Sequence, residues 1–267
     1  MPRNNTTVSK KSEFKKLRFL GLISTSILFI GVFLCYWCMG NSSSSSMTNP
    51  VVIGPRAAHR ATLIFLHGLG DTGHGWAQGF AQLNLSHIKC VCPTSAIRKV
   101  TLNGGMPMPS WFDIFGLHPT AKQDEEGILK ASQALKSLIL EEAKSIGTEK
   151  IFIGGFSQGG AVALYNALTS DCQLAGVVAL STWLPLHLKF MDKEVNLSKH
   201  LKDLKVFQGH GEADPMVSHT FGQMTNKVLA DNVKSITFKS YADMGHSSCP
   251  QEMKDIKEFL ESIVPNE

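Results

Sequence analysis

The tightest constraint on this chain is the stretch 151–160, where an apolar segment of strand type runs directly into the start of a helix. Ile151, Phe152 and Ile153 form the apolar segment, and residues 161–168 continue as a helix. Between them lies Gly155-Phe156-Ser157-Gln158-Gly159. A serine at the apex of so sharp a strand-to-helix turn has its hydroxyl lifted clear of the sheet. Glycine is needed on either side because a β-carbon there would strike the neighbouring chain. Gly-x-Ser-x-Gly alone arises easily by chance. Its setting between strand and helix, with Gly154 and Gly160 flanking it, makes the signal specific. The bland alternative is a glycine-rich loop joining the two elements.

The rest of the body repeats this alternation. A continuous apolar run at 62–67 reads as a strand covered on both faces, and 88–92, 174–180, 205–210 and 235–241 are further strand candidates. Helical spacing appears at 76–83, at 125–144, at Phe221, Met224 and Val228, and at Ile256, Phe259, Leu260 and Ile263. Strands alternating with helices predict an α/β fold with a mostly parallel central sheet covered by helices on both faces. Residues 106–113 are apolar but interrupted by Pro107 and Pro109, so no regular element is expected there.

A length of 267 residues suits one α/β domain, here 51–267, with a short extension before it. The net charge of +4 is local in origin. Residues 1–18 hold six Lys/Arg against Glu13, leaving 20 basic and 21 acidic side chains elsewhere. A body with no basic stripe is not a nucleic-acid binder. Six cysteines in a chain of this size do not make a disulfide scaffold. Cys90 and Cys92 alternate on one strand face as buried thiols, and no spacing of ligands calls for a metal.

Residues 19–39 contain no charge and, as a helix, would extend about 32 Å, enough to cross a bilayer. The basic excess precedes them, so the positive-inside rule puts residues 1–18 in the cytoplasm and the body on the far side. That predicts a single-pass signal-anchor. A second reading starts translation at Met39, whose Met-Gly-x-x-x-Ser context fits N-myristoylation and removes the span. Either way residues 40–50 are a serine-rich tether. Cys35 and Cys38 stand at the membrane boundary of the expected span, as candidates for palmitoylation or as buried thiols. Five Asn-x-Ser/Thr sequons occur, at Asn4, Asn5, Asn41, Asn84 and Asn196.

A serine hydroxyl is a poor nucleophile until a base takes its proton and a third group holds that base. When the nucleophile sits on such a turn, the chain order is Ser, then Asp or Glu, then His, each following a strand. Asp214 follows the strand 205–210 in a short loop stiffened by Pro215, with Glu212 as fallback. His246 follows the strand 235–241 and precedes the last helix. His187, His200 and His219 lie in polar surface stretches, and His210 precedes Asp214, the wrong order for the base. Ser157, Asp214 and His246 are therefore the candidate catalytic residues. The oxyanion needs two donors, for which the backbone N–H groups of Gln158 and of Leu69, in the turn after strand 62–67, are the candidates. This chemistry asks for no cofactor.

Residues 65–76 (Phe-Leu-His-Gly-Leu-Gly-Asp-Thr-Gly-His-Gly-Trp), 108–114, 154–160 and 183–186 together resemble the acyl-protein thioesterases, or small lysophospholipases. So do His210-Gly211 with Asp214-Pro215, and Met244-Gly245-His246-Ser247-Ser248. The match spans essentially 51–264. The resemblance implies an α/β-hydrolase with its triad at Ser157, Asp214 and His246 and its oxyanion donors at Leu69 and Gln158. It also implies an acyl channel bordered by Trp111, Phe112, Trp183 and Leu184, for which ordinary core under a loop is the alternative. The expected partners are S-palmitoylated proteins, with lysophospholipids as an alternative substrate class and a membrane reached by the span or a lipid anchor. A catalytically silent binding module on the same fold is the rival from another class, and an intact set of three catalytic residues argues against it.

Overall fold

The computed structural model describes, besides Met1, residues 47–266. The expected basic segment, span and myristoylation motif lie outside the described residues. Among the described residues no helix is long and apolar enough to cross a membrane.

Nine strands and six helices alternate along this part of the chain: β1 Thr48–Ile53, β2 Ala61–Leu66, α1 Gly73–Gln82, β3 Ile88–Thr94, β4 Ile97–Val100, β5 Met106–Pro109, α2 Glu125–Ala143, β6 Ile151–Phe156, α3 Gln158–Thr169, β7 Gly176–Leu180, α4 His187–Met191, β8 Lys205–Gly211, α5 His219–Ala230, β9 Ser235–Tyr241 and α6 Pro250–Ile263. Seven strands form one sheet in the order β1-β3-β2-β6-β7-β8-β9. Only β1 runs antiparallel to its neighbour. The helices cover both faces, as the alternation predicts.

Side-chain parity divides the core in two. Ile64, Leu66, Ile151, Ile153, Val177, Ala179 and Val206 pack with α2, α3 and α5. Leu63, Phe65, Phe152, Val178, Leu180 and Phe207 pack with α1 and α6 on the other face. Strands buried on both faces have no reason to alternate polar with apolar, so they read as continuous apolar runs. Cys90 and Cys92 share the α1/α6 face, where burial pushes the Cys90 thiol up to about 12.

Two expectations need correction. The tether was expected to run to residue 50, yet β1 starts at Thr48, its pairing with β3 interrupted by an irregularity between Thr48 and Val51. Residues 106–109 form a regular strand, β5, in a two-stranded antiparallel ribbon with β4. The prolines are tolerated because of their parity. The Ser110 N–H donates to the Ala96 carbonyl at 3.1 Å, so the even-numbered positions face β4. Pro107 and Pro109 therefore lack their N–H on the outer edge, where no ladder bond is lost. The Pro109 carbonyl points out on that edge and accepts the Gly70 N–H at 2.9 Å.

The β6–α3 junction is the tightest point of the fold. A β-carbon at Gly159 would lie 2.3 Å from the Leu66 carbonyl oxygen, and one at Gly155 2.3 Å from the Gly159 carbonyl carbon. Neither clash is with a mobile side chain. Gly159→Ala is expected to cost about 3 kcal/mol or more, read as a lowered midpoint in denaturant unfolding. A midpoint equal to wild type would show that α3 is free to move off β2.

Candidate active site

Ser157 sits between β6 and α3 at φ 52 and ψ −119, a backbone conformation that an L residue adopts only under strain. Three bonds hold it there. Its N–H donates to the Leu180 carbonyl at 2.9 Å, while its carbonyl accepts the Thr182 hydroxyl at 2.6 Å and the Ala161 N–H at 3.1 Å. The end of β7 thus braces the turn that presents the hydroxyl.

His246 lies in the loop between β9 and α6 with its Nε2 3.0 Å from Ser157 Oγ. Its Nδ1 is 2.7 Å from Asp214 Oδ2. A carboxylate only accepts, so Nδ1 carries the proton and Nε2 is left as the acceptor facing the serine. Asp214 is itself fixed by its other oxygen, which accepts the N–H groups of Met216 at 2.8 Å and Val217 at 2.9 Å. Glu212 is exposed to solvent, so the structure brings together Ser157, His246 and Asp214 and leaves the fallback outside.

His210, set aside on chain order, stands directly behind this carboxylate. It is wholly buried, and its Nε2–H donates to the Val217 carbonyl at 2.8 Å, 3.6 Å from Asp214 Oδ2. Burial holds its pKa below the ordinary histidine value, so it supports the Asp214 loop as a neutral ring. His187 is buried rather than on the surface, packed edge-on against Phe221. Helix α4 carries it inward, a short element that no periodicity announces.

The turn after β2 supplies the second half of the site. The Asp71 N–H closes onto the Gly68 carbonyl at 3.2 Å, with Gly70 at φ 79, leaving Leu69 half-buried at the bend. Neither the Leu69 N–H nor the Gln158 N–H has an acceptor among the described residues. These two free donors flank Ser157, one on the cavity wall and one at the first position of α3. His67 anchors the turn: its Nδ1–H donates to the Gly68 carbonyl at 2.6 Å and its Nε2 accepts the Ser95 N–H at 3.0 Å. Burial lowers its pKa, in keeping with that neutral tautomer.

Ser157 and His246 open on a cavity of about 860 Å³ walled by Leu69, Trp76, Leu117, Phe156, Met216 and Met253 among others. The four residues expected to border an acyl channel do not line it. Trp111, Phe112, Trp183 and Leu184 are buried in the α2/α3/α5 core. Trp183 stacks on Phe221 with centroids 6.2 Å apart, and Phe112 meets Trp183 edge-on at 6.5 Å. Their apolar character comes from packing under the loop. Trp111 has a different task, for its Nε1–H donates to the His67 carbonyl at 2.8 Å. The Gln158 side chain, also buried, accepts the Trp111 N–H at 3.0 Å and donates to the Phe112 carbonyl at 2.7 Å. Segment 110–112 therefore ties both donor-bearing turns together.

Trp111→Phe keeps the ring and removes one donor, leaving the buried His67 carbonyl unpaired at about 1–3 kcal/mol. We expect a lowered Tm and a fall of about tenfold in kcat with little change in KM, since a small shift of a donor suffices for such a loss. A lowered Tm with full kcat would confine Trp111 to a packing role.

A parallel sheet with a strained serine, a histidine and an aspartate in this chain order defines an α/β-hydrolase. The sequence agrees, for a family model described as Phospholipase/Carboxylesterase matches residues 47–264. Acyl-protein thioesterase 1 of Mycosarcoma maydis is 45% identical over 240 residues, covering 82% of this chain and 99% of the relative. The protein of the same name from Neurospora crassa is 41% identical, covering 81% and 92%. Among solved structures, Zea mays acyl-protein thioesterase 2 superimposes with a TM-score of 0.75 at 33% identity, covering 80% of this chain and 98% of that one. The chain belongs to the acyl-protein thioesterase family of the α/β-hydrolases, hydrolases of thioesters and esters.

Proposed function

We propose that this protein removes long-chain acyl groups, palmitoyl foremost, from S-acylated cysteines of proteins by way of an acyl-enzyme on Ser157. The observation that carries the reading is the Ser157–His246–Asp214 chain of hydrogen bonds opening on one large, mainly apolar cavity. Its volume lies in the range of roughly 300–1,000 Å³ usual for ligand sites. Ser157 Oγ attacks the thioester carbonyl as His246 Nε2 takes its proton, and Asp214 stabilises the imidazolium. The oxyanion accepts the Leu69 and Gln158 N–H groups. His246 then protonates the departing cysteine sulfur. A water repeats the attack on the acyl-enzyme, giving its proton to His246, which returns it to Ser157 as the fatty acid leaves.

Hydrolysis of lysophospholipid oxyesters is the less favoured reading, since the relatives at 41–45% identity are named for thioesterase activity. The test is kcat/KM on a palmitoyl-cysteine peptide against that on a lysophospholipid of equal acyl length. A preference for the peptide is expected, and a clear preference for the lysophospholipid would overturn the substrate assignment while leaving the mechanism.

We further propose that the protein works at a membrane through its N-terminal segment, supported by the uncharged run 19–39 and the Met39-Gly40 context. Intact mass of the endogenous protein decides the form. A chain starting at myristoylated Gly40 places the domain in the cytosol. A full-length chain with glycans on Asn84 or Asn196, both solvent-exposed, places it on the other side. A full-length chain that washes off membranes in alkaline carbonate would overturn the anchor.

A further inference from the structure

The first turn of α6 carries a carboxyl that the reaction does not use. Glu252 is wholly buried, and neither carboxyl oxygen has a hydrogen-bond partner among the described residues. Gly209 on β8 admits it, since a β-carbon there would lie 2.4 Å from Oε1. One turn further along the helix, Asp255 has collected three donors. It accepts from Lys239 Nζ at 2.9 Å, the Tyr241 hydroxyl at 2.8 Å and Gln251 Nε2 at 2.9 Å. Burial alone would raise the Asp255 carboxyl, but these bonds outweigh it and hold it below its ordinary value.

Two carboxyls thus share one helix face, and only one is provided for. Burial first, and then the Asp255 charge, push Glu252 up to about 7 against the opposing pull of Ser248. The other groups around it are Tyr241 of β9, itself raised by burial, and Cys249, whose Sγ accepts the Glu252 N–H at 3.4 Å. The strands present Gly209 and, beside it, Leu180, which do not titrate.

Ser248 is the complementary orphan. Its Oγ is buried without a partner and stands beside the Glu252 carboxyl. Ser248 also lines the Ser157 cavity, two residues after His246. We propose that Glu252 is a positioning residue for His246: its carboxyl donates to Ser248 Oγ and so holds the loop 246–249 against β8, the strand from which Asp214 follows. The inference rests on the Ser157–His246–Asp214 reading above. A carboxyl donates only while it keeps its proton. Once ionised it has only the Ser248 hydroxyl to meet a buried charge and it repels Asp255, so the loop loosens.

The experiment is the rate of covalent labelling of Ser157 by a fluorophosphonate across about pH 5.5 to about 9, which reads nucleophile activation without a chosen substrate. The wild-type rate should fall severalfold above about pH 7. Glu252→Gln keeps a donor at every pH and should hold its rate through the alkaline range. Glu252→Ala and Ser248→Ala should each label about tenfold more slowly throughout, with the double variant no slower, because the two act as one unit. Superimposable profiles for wild type and Glu252→Gln would overturn the proposal, as would a wild-type rate in Glu252→Ala. If Glu252→Ala does not fold, the near-isosteric glutamine variant still decides. Labelling that survives Ser157→Ala would instead count against the active-site reading.

Discussion

Replacing Ser157 by alanine is expected to lower kcat about a million-fold, leaving only the residual rate that binding and the oxyanion donors provide. Stability should move by no more than about 1 kcal/mol, the scale of one hydrogen bond. Alanine occupies the same turn at φ 52, still braced by Leu180 and Thr182, and the lost Oγ has His246 Nε2 as its partner. Hydrolysis of a palmitoyl-cysteine peptide and fluorophosphonate labelling should vanish together, with an unchanged circular-dichroism spectrum and Tm. Persistent labelling would mean that another hydroxyl is the nucleophile.

Asp214→Asn should cost about ten-thousand-fold in kcat. The two N–H groups of Met216 and Val217 require an acceptor, so the amide oxygen of asparagine is held on their side. Its NH2 then faces His246 Nδ1, which must accept rather than donate. The ring proton moves to Nε2, and the ring no longer takes the Ser157 proton. KM should change little because Asp214 touches no substrate. Glu212→Gln, at an exposed position, serves as the control and should match wild type. An Asp214→Asn variant with more than about a tenth of wild-type kcat would show that His246 is oriented by something else, since a wrong tautomer alone costs orders of magnitude.

Much of this molecule was legible in the chain because its signals are local. Continuous apolar runs announced β2, β6 and β7, for strands buried on both faces carry no alternation. The spacing of Ile128, Leu135 and Ile139 gave α2, whose N-cap Asp124 accepts the Gly127 N–H. Ser157, Asp214 and His246 were legible because each follows a strand in the chain order of the α/β-hydrolases. The ribbon β4–β5 was not legible. Its prolines look prohibitive until the partner strand fixes which parity must donate, and that partner is decided by pairing.

The sequence by itself determined the fold class, and it pointed to Ser157, His246 and Asp214 as one set and to the two turns that carry spare N–H groups. These follow from φ/ψ demands and hydrophobic period, which act over a few residues. The tertiary structure alone decided which apolar side chains wall the cavity beside Ser157. Trp111, Phe112, Trp183 and Leu184 look lipid-facing in the chain, yet they fill the space between α2, α3 and α5, while Trp76, Leu117, Met216 and Met253 wall the cavity. It also decided that Lys239, Tyr241 and Gln251 all bond Asp255, while the buried Glu252 carboxyl is left with Ser248 beside it. Burial and hydrogen-bond supply depend on segments far apart in the chain being packed together, and no window of sequence carries that information.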